Sequence, residues 1–253
     1  MTATQEFSLS GKVALVTGSS QGIGKAIAAG FAAAGARVYI HGPSPAGESV
    51  AGEIGGHFVQ ADFTDPAQVA RLAGTVTAAE ARLDVLVNNA GIDSPAPLEE
   101  LTPDILDRVL QVNLRAPVEL TRLLLPLLRG SSGASVINVT SIHEAMPYPR
   151  NAAYCMAKAA LAMFSKAVTL ELAPHGIRVN NLAPGAVETD INRAILDRIG
   201  RDTFAEWIPL GRVGQTSDMV GPALFLASDA SRYVTGTTLV ADGGYLQHLV
   251  REG

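Results

Sequence analysis

The amino-acid sequence predicts a doubly wound α/β fold, in which helices cover both faces of a parallel seven-stranded sheet. Short runs rich in β-branched apolar residues alternate along the chain with Ala- and Leu-rich stretches of helical length, a pattern typical of buried parallel strands and their crossover helices. No linker, repeat or low-complexity segment divides the 253 residues, although such segments usually mark domain boundaries. We therefore expect a single domain over residues 1–253.

Each strand is predicted where a short apolar run is bounded by polar or turn-forming residues. The seven runs are Val13–Thr17, Val38–Ile40, Phe58–Ala61, Val85–Val87, Ser135–Val139, Ile177–Asn180 and Thr238–Val240. The stretches of helical length between them include Gly24–Ala34, Pro66–Ala81, Asp104–Leu128, Ala152–Ala173 and Asp218–Ala227.

The connection between the sixth and seventh strands is unusually long. It runs from Pro184 to Leu210, and long connections in compact domains are usually functional. We predict that this segment is a substrate lid with a short helix near Ile191–Ile199. The alternative is a permanently packed crossover whose apolar residues join the core or a subunit interface.

Charge and composition exclude several classes of partner. The net charge is −5 with a pI near 5.5, and the Lys and Arg residues are scattered, so no basic stripe is available for nucleic acid or an anionic membrane. Cys155 is the only cysteine, which excludes internal disulfides and cysteine-based metal sites, and no metal is expected. The N-terminus lacks the apolar core of a signal peptide, and charged residues interrupt Leu114–Leu128, so we expect no membrane segment and a cytoplasmic location.

A glycine-rich run follows the first predicted strand and opens the first helix: Thr17-Gly18-Ser19-Ser20-Gln21-Gly22-Ile23-Gly24. Glycines permit a tight turn and close approach of backbone amides to a pyrophosphate, whose charge the helix N-terminus favours. Glycine spacing alone also fits a structural turn, but its place between strand and helix favours a dinucleotide. The predicted cofactor contacts here are Gly18, Ser20, Gln21, Gly22, Ile23 and Gly24.

The choice between NAD and NADP depends on the end of the second strand. About 20 residues after the glycines, a carboxylate would favour NAD and an Arg would favour NADP. That stretch reads His41-Gly42-Pro43-Ser44 and carries neither. Because no acid repels a 2′-phosphate and Ser44 can donate to one, we lean slightly toward NADP(H), with NAD(H) left open. Asp62, followed by Phe63, is predicted to contact the adenine; a cap or turn is the alternative.

Tyr154 and Lys158 are four residues apart in a helical pattern, so their side chains lie on one helix face. An ammonium beside a phenol lowers a pKa that is ordinarily about 10, which allows proton exchange nearer neutral pH. The alternative is a solvent-facing pair. Ser141 favours the catalytic interpretation, because it follows the fifth strand at the edge where such a sheet presents its reactive groups.

Further motifs complete a recognisable set: Asn88-Asn89-Ala90-Gly91 after the fourth strand, Asn113 in the next helix, and Pro184-Gly185 followed by Thr189. In this order and spacing, the motifs resemble the short-chain dehydrogenase/reductase family over essentially the whole chain. The resemblance implies a Rossmann fold, NAD(P)-dependent oxidoreductase activity and assembly as a homotetramer.

The resemblance also implies roles for individual residues. Tyr154 would be the acid/base, Lys158 would bind the nicotinamide ribose and tune Tyr154, Ser141 would orient the reacting oxygen, and Asn113 would hold a proton-relaying water. The remaining cofactor contacts that it implies are Asn89, Ala90, Gly91, Pro184, Gly185, Val187 and Thr189.

Two segments resemble the glucose dehydrogenase and gluconate-type sugar dehydrogenases: Ser141-Ile142-His143-Glu144 and the run from Gly185 to Asn192. This resemblance implies that Asp93, His143 and Glu144 contact substrate hydroxyls beside Ser141 and Tyr154, although His143 and Glu144 also fit a surface loop. Asp93 stands where the glucose-specific branch carries Glu.

The predicted function is therefore hydride transfer between NAD(P)(H) and a small-molecule secondary alcohol or carbonyl, most readily a sugar or polyol. A 3-oxoacyl thioester reductase is the first alternative, and the acidic composition weighs against docking of an acidic carrier protein. A non-catalytic cofactor-binding regulator is the second. Retention of Asn113, Ser141, Tyr154 and Lys158 weighs against it.

Overall fold

A computed structural model of the chain describes residues 3–247; the remaining positions of the predicted 1–253 domain lie outside the described residues. The strands are β1 Val13–Val16, β2 Arg37–Gly42, β3 His57–Gln60, β4 Val85–Asn88, β5 Ser135–Val139, β6 Arg178–Pro184 and β7 Thr238–Ala241. All neighbouring pairs are parallel, in the order β3-β2-β1-β4-β5-β6-β7. The strand order reverses between β1 and β4, which opens a crevice at the carboxyl ends of these strands.

Ten α-helices lie within residues 3–247. They are α1 Ala3–Glu6, α2 Gly22–Ala33, α3 Gly47–Ile54, α4 Pro66–Ala79, α5 Pro103–Leu110, α6 Ala116–Arg129, α7 Ala152–Leu172, α8 Asp190–Ile199, α9 Arg201–Glu206 and α10 Val220–Ala227. Local sequence explains several starts. For example, α4 begins with Pro66, and the Asp65 side chain accepts a hydrogen bond from the Ala67 amide at 2.9 Å, which satisfies an otherwise unpaired first-turn N–H.

The predicted doubly wound fold with seven parallel strands is confirmed. Every predicted strand is present, and the sixth extends further than predicted, to Pro184. The stretch of helical length predicted over Asp104–Leu128 is helical, and a π-helical turn, Gln111–Arg115, separates α5 from α6 within it. The Asn113 side chain donates to the Val109 carbonyl at 3.0 Å, so a side chain competes there for a carbonyl one turn back. The short helix α3 was not predicted.

The sheet divides two apolar cores. On one face, Leu15, Leu86 and Val136 pack beneath α4 and α6. On the other face, Val16 and Val87 pack beneath α2 and α10. A separate small cluster lies under α8 and α9 and contains the buried residues Leu196, Phe204 and Ile208. The segment predicted as a lid therefore packs on its own apolar residues.

Within residues 3–247, no helix combines the length and apolarity needed to cross a membrane. The same residues contain no group of three or more His, Cys, Asp or Glu side chains suited to holding a metal ion.

Candidate active site

The glycine run and the loop after β4 are joined by close backbone packing. A Cβ atom added to Gly18 would lie only 2.8 Å from the Cα of Ala90. The Thr17 hydroxyl accepts hydrogen bonds from the amides of Asn89 and Ala90 at 2.9 and 3.0 Å, while the Asn89 side chain donates to the carbonyls of Thr17 and Gly18. These two predicted cofactor segments therefore form one rigid edge of the crevice.

His41, which the sequence analysis did not assign, fixes the start of the glycine run. Its Nδ1 accepts from the Gly18 amide at 3.0 Å, and its Nε2 lies 2.9 Å from the Ala61 carbonyl oxygen. Burial lowers the pKa of His41 to about 4, so the ring is neutral at physiological pH. The amides of Gly18 and Ser19 both donate to His41. An anion bound at this turn would therefore have to accept hydrogen bonds from later amides of the run.

The N-terminus of α2 offers such amides. Gln21 stands at the N-cap in an extended conformation, and its side chain makes no capping bond to the first turn, which leaves the helix end suited to an anion. The Thr189 methyl group lies 3.7 Å from the position of a Cβ on Gly22. A cavity of ≈ 510 Å³ opens between α2 and the 184–210 segment, and Lys25 and Arg193 are among its lining residues.

On the adenosine side, the candidates differ in exposure. Ser44 is exposed at the surface. The Asp62 carboxylate accepts from the amide and hydroxyl of Thr64 at 2.9 and 2.8 Å, so the turn role considered as an alternative is present. The Phe63 ring is buried and stacks on His41 with centroids 4.1 Å apart, so it lies beneath this side of the site.

Ser141, Tyr154 and Lys158 converge at the carboxyl end of β5. The Ser141 side chain lies close enough to the Tyr154 hydroxyl to act on its pKa. The Lys158 ammonium donates to the Val139 carbonyl at 2.8 Å and lies 5.5 Å from the centre of the Tyr154 ring. The end of β5 with the turn that follows it and the first turns of α7 therefore bring a hydroxyl, a phenol and an ammonium into one group.

Burial acts on the two titratable members of this group in opposite directions. It raises the pKa of Tyr154 to about 12, with the Ser141 hydrogen bond opposing the shift and the charge of Asp93 adding to it. It lowers the pKa of Lys158 to about 8, and the negative charge of Glu144 opposes that shift. Burial therefore disfavours the charged form of each group, and an ammonium near the phenol would favour the phenolate.

The fully buried Asn113 uses its side chain to anchor the loop after β4. Its amide nitrogen donates to the carbonyls of Ile92 and Val109 at 2.9 and 3.0 Å, and its oxygen accepts from the Ile92 amide at 3.3 Å. A Cβ on Gly91 would lie 2.7 Å from the Asn113 oxygen and 3.6 Å from Lys158 Nζ. The absence of a side chain at Gly91 therefore keeps the space in front of Lys158 clear.

A second polar group lies near Tyr154, on the loop after β4 and at the start of α7. Asn151 donates to the Asp93 carboxylate at 3.4 Å. One oxygen of each side chain is buried without a hydrogen-bond partner among residues 3–247. Asn151 occupies the N-cap of α7 yet makes no side-chain capping bond, although capping is the usual role of Asn there. The sequence analysis did not identify this residue, because an Asn at a helix N-cap is explained by capping alone.

The chain strains its backbone to present Asn151. The preceding residue, Arg150, has φ = 65°, the left-handed region that costs a side-chain-bearing residue of this kind free energy. Its carbonyl accepts from the Ala96 amide at 2.7 Å, which ties the start of α7 to the Asp93 loop.

His143 and Glu144 are both partly buried, unlike the exposed loop pair considered as an alternative. His143 stacks on Tyr148 with centroids 4.7 Å apart and lies edge-on to Tyr154 at 6.4 Å; burial lowers its pKa. One Glu144 oxygen accepts from the Thr238 hydroxyl at 3.0 Å, while the other is buried without a partner in the described part of the chain.

Comparison with known proteins agrees with this geometry. The family profile described as "Enoyl-(Acyl carrier protein) reductase" matches residues 18–246. D-threitol dehydrogenase of Mycolicibacterium smegmatis is 35% identical over 246 residues, which cover 95% of each chain.

Solved structures extend the comparison. A gluconate 5-dehydrogenase from Burkholderia cenocepacia, in complex with NADP and tartrate, gives a TM-score of 0.91 at 34% identity and covers 98% of this chain and 100% of its own. A 3-oxoacyl (acyl-carrier-protein) reductase from Agrobacterium tumefaciens with NADP bound gives 0.91 at 37% identity, covering 97% of this chain and 98% of its own. The chain therefore belongs to the short-chain dehydrogenase/reductase family of oxidoreductases that act on alcohol and carbonyl groups, and its relatives include the sugar dehydrogenase branch that the sequence predicts.

Proposed function

We propose that the protein is an NADP(H)-dependent oxidoreductase that interconverts a hydroxyl and a carbonyl group of a small neutral polyol or sugar. One observation carries the proposal. The group Ser141, Tyr154 and Lys158 lies beside Asp93 and Asn151, each of which has a buried oxygen without a partner among residues 3–247.

The crevice suits a nicotinamide dinucleotide. The uncapped start of α2 would take the pyrophosphate, Gly91 leaves space in front of Lys158, and Thr189 lies near the glycine run. When bound, the nicotinamide supplies the hydride acceptor for oxidation and the hydride donor for reduction. NADP is present in both related structures described above, which supports the preference suggested by the missing acid at residues 41–44.

Proton transfer in this proposal takes place at the Tyr154 oxygen. In oxidation the phenolate accepts the proton of the substrate hydroxyl, and in reduction the phenol returns it. Ser141, whose side chain lies beside that oxygen, orients the substrate oxygen, and the Lys158 ammonium favours the phenolate. The water predicted to relay protons at Asn113 would be bound by the backbone of the π turn. The Asn113 side chain already donates to the carbonyls of Ile92 and Val109.

Replacement of the Tyr154 hydroxyl tests this assignment. We expect Tyr154→Phe to lower kcat by about 10²–10⁴, the usual contribution of one general acid/base, with the Kd of NADPH little changed. Steady-state rates and NADPH fluorescence titration measure the two quantities. Tyr39→Phe, which removes a hydroxyl bonded to Glu80 away from the site, is the matched control. Turnover of folded Tyr154→Phe within a few-fold of wild type would contradict the assignment.

The charges around the site favour a neutral substrate rich in hydroxyl groups. Asp93 and Glu144 bring carboxylates toward Tyr154 and Lys158, which disfavours an anionic substrate. Polyol hydroxyls can donate to the unpartnered oxygens of Asp93 and Asn151, whereas an acyl chain would leave these acceptors buried and unsatisfied. The thioester reductase alternative is supported by the Agrobacterium relative but not by these acceptors.

The role of Asn151 can be tested by comparing two kinds of substrate. We expect Asn151→Ala to lower kcat/KM about tenfold for tetritols, because one buried hydrogen bond is lost. The loss for a secondary alcohol without neighbouring hydroxyls should be small. Initial rates with D-threitol, erythritol and 2-butanol measure the difference. Equal losses of kcat/KM for all three substrates would show that Asn151 does not bind a second hydroxyl group.

Cofactor preference can be tested at Gly42, where an added Cβ would lie 2.7 Å from the Ser20 hydroxyl oxygen. We expect Gly42→Asp to weaken NADP binding about five- to tenfold more than NAD binding, because the new carboxylate repels the 2′-phosphate. Gly42→Asn imposes nearly the same steric change without charge, and should affect both cofactors alike. Dissociation constants from fluorescence titration decide; identical behaviour of the two variants would place the phosphate elsewhere.

The segment over residues 184–210 is proposed as a lid over cofactor and substrate. It carries its own apolar cluster, and its Asn192 side chain donates to the Val187 carbonyl at 2.8 Å, so it can move as a unit while its inner contacts persist. Its length and its position at the carboxyl edge of β6 support this proposal over a static crossover.

The only tryptophan, Trp207, lies half-buried in this segment against Phe204, with ring centroids 5.1 Å apart. We expect acrylamide to quench Trp207 fluorescence less in the ternary complex with NADP⁺ and polyol than in the unliganded protein, because closure covers the ring. Denatured protein provides the fully exposed reference. The lid proposal fails if the quenching constant is the same with and without ligands.

We also propose that the protein is a cytoplasmic homotetramer. Along α7, the apolar side chains of Met156, Met163 and Leu170 recur every seven residues and are 48%, 61% and 80% exposed. An apolar stripe of this kind on a long helix is suited to pack against a second copy of the same chain. Sedimentation equilibrium measures the assembled mass, and a 26.3 kDa species would contradict the proposal.

A further inference from the structure

A row of buried polar side chains crosses the sheet beneath α7, and the catalytic group described above does not include it. Asn88, Asn138, Asn181 and Thr238 stand in direct register on β4, β5, β6 and β7, so their side chains share one face of the sheet. Three of them are at most 2% exposed, as is Ser165 of α7. We call this set, with Ser165, the amide row.

The hydrogen bonds of the amide row all run in one direction. Asn88 donates to Asn138 at 2.8 Å, Asn138 to Ser165 at 2.7 Å, Ser165 to Asn181 at 2.5 Å, and Asn181 to Thr238 at 3.0 Å. Thr238 then donates to the Glu144 carboxylate at 3.0 Å. Aligned hydrogen bonds in a low-dielectric interior strengthen one another, so the whole row directs donors toward a single carboxylate.

Glu144 is therefore held from below on one oxygen, while its other oxygen is buried without a hydrogen-bond partner in residues 3–247. The turn that carries Glu144 packs against α7, the helix of Lys158. A buried carboxylate is costly unless it is hydrogen-bonded and balanced by a positive charge. The row supplies the hydrogen bond, and Lys158 supplies a positive charge on the helix against which this turn packs.

We propose that Glu144 is a positioning residue for the reaction: the amide row fixes its carboxylate near α7, and this charge favours the ammonium form of Lys158 that Tyr154 needs. The proposal rests on the proposed function. It differs from the expectation that Glu144 contacts substrate hydroxyls.

The charge of Glu144 opposes the effect of burial on the pKa of Lys158. Burial lowers the Lys158 pKa to about 8, and Glu144 raises it. Among the neighbouring titratable groups, Asp93 and Cys155 act on Tyr154, and Asp93 acts on His143. Removal of the Glu144 charge therefore lowers the pKa of Lys158. Removal of a negative charge cannot directly raise the pKa of Tyr154. Carbonyl reduction needs the phenol and the ammonium together, so its alkaline limb should move to lower pH.

The first test is the pH profile of kcat/KM for carbonyl reduction. We expect Glu144→Gln to move the alkaline limb down by about one pH unit. Thr238→Val, which removes the donor to Glu144 and conserves volume, should move it in the same direction by less. Thr235→Val is the matched control, because Thr235 bonds the Val179 amide outside the row, and its profile should equal wild type. An unmoved limb in Glu144→Gln, with KM alone increased, would overturn the proposal in favour of substrate contact.

The second test needs no substrate and so separates this proposal from the proposed function. In a Tyr154→Phe background, the pH at which NADPH affinity declines reports Lys158 without titration of the phenol. We expect Glu144→Gln in that background to shift the decline to lower pH, and Lys158→Met to remove the decline. If the decline stays at the same pH with and without Glu144, the proposal is wrong whether or not a polyol is the substrate.

Discussion

The close approach of two backbones at the reversal of strand order is the constraint on which the rest of this structure depends. No side chain can stand at Gly18 without meeting Ala90, and the Thr17 hydroxyl bonds both amides that follow β4. This contact aligns the carboxyl ends of β1 and β4 along one crevice. The loop through Gly91 is held against the π turn by the side-chain amide of Asn113, which bonds Ile92. The position of this loop sets the space in front of Lys158.

Electrostatics in the site follow from burial more than from any single pair. Burial raises the pKa of Tyr154 and lowers that of Lys158, and the negative charge of Glu144 opposes the shift at Lys158. The amide row reaches this carboxylate from within the sheet. It joins four strands and α7 to Glu144 by side-chain hydrogen bonds alone, which makes the position of that carboxylate dependent on the register of the strands beneath it.

The sequence allowed prediction of the strands and of Tyr154, Lys158 and Ser141, because apolar runs and fixed spacings are local signals. The features it concealed depend on contacts between distant segments. His41 was considered only for its lack of charge, although its ring accepts the Gly18 amide. Asn151 stands where Asn ordinarily caps a helix, and the amide row exists only because β4 to β7 are in register. The π turn at Asn113 likewise results from a side-chain bond that helical periodicity does not encode.

The separate apolar cluster beneath α8 and α9 has a consequence for divergence among related chains. Its buried residues pack chiefly on one another and on Tyr245 rather than on the two cores of the sheet. Mutations within this cluster therefore impose little cost on the sheet or on α7, the helix that carries Tyr154 and Lys158. Gene duplicates can therefore alter this segment while the sheet and α7 are inherited intact. This modularity is consistent with chains of about one-third identity sharing a backbone at a TM-score of 0.91 while bearing the names of a gluconate dehydrogenase and a 3-oxoacyl reductase.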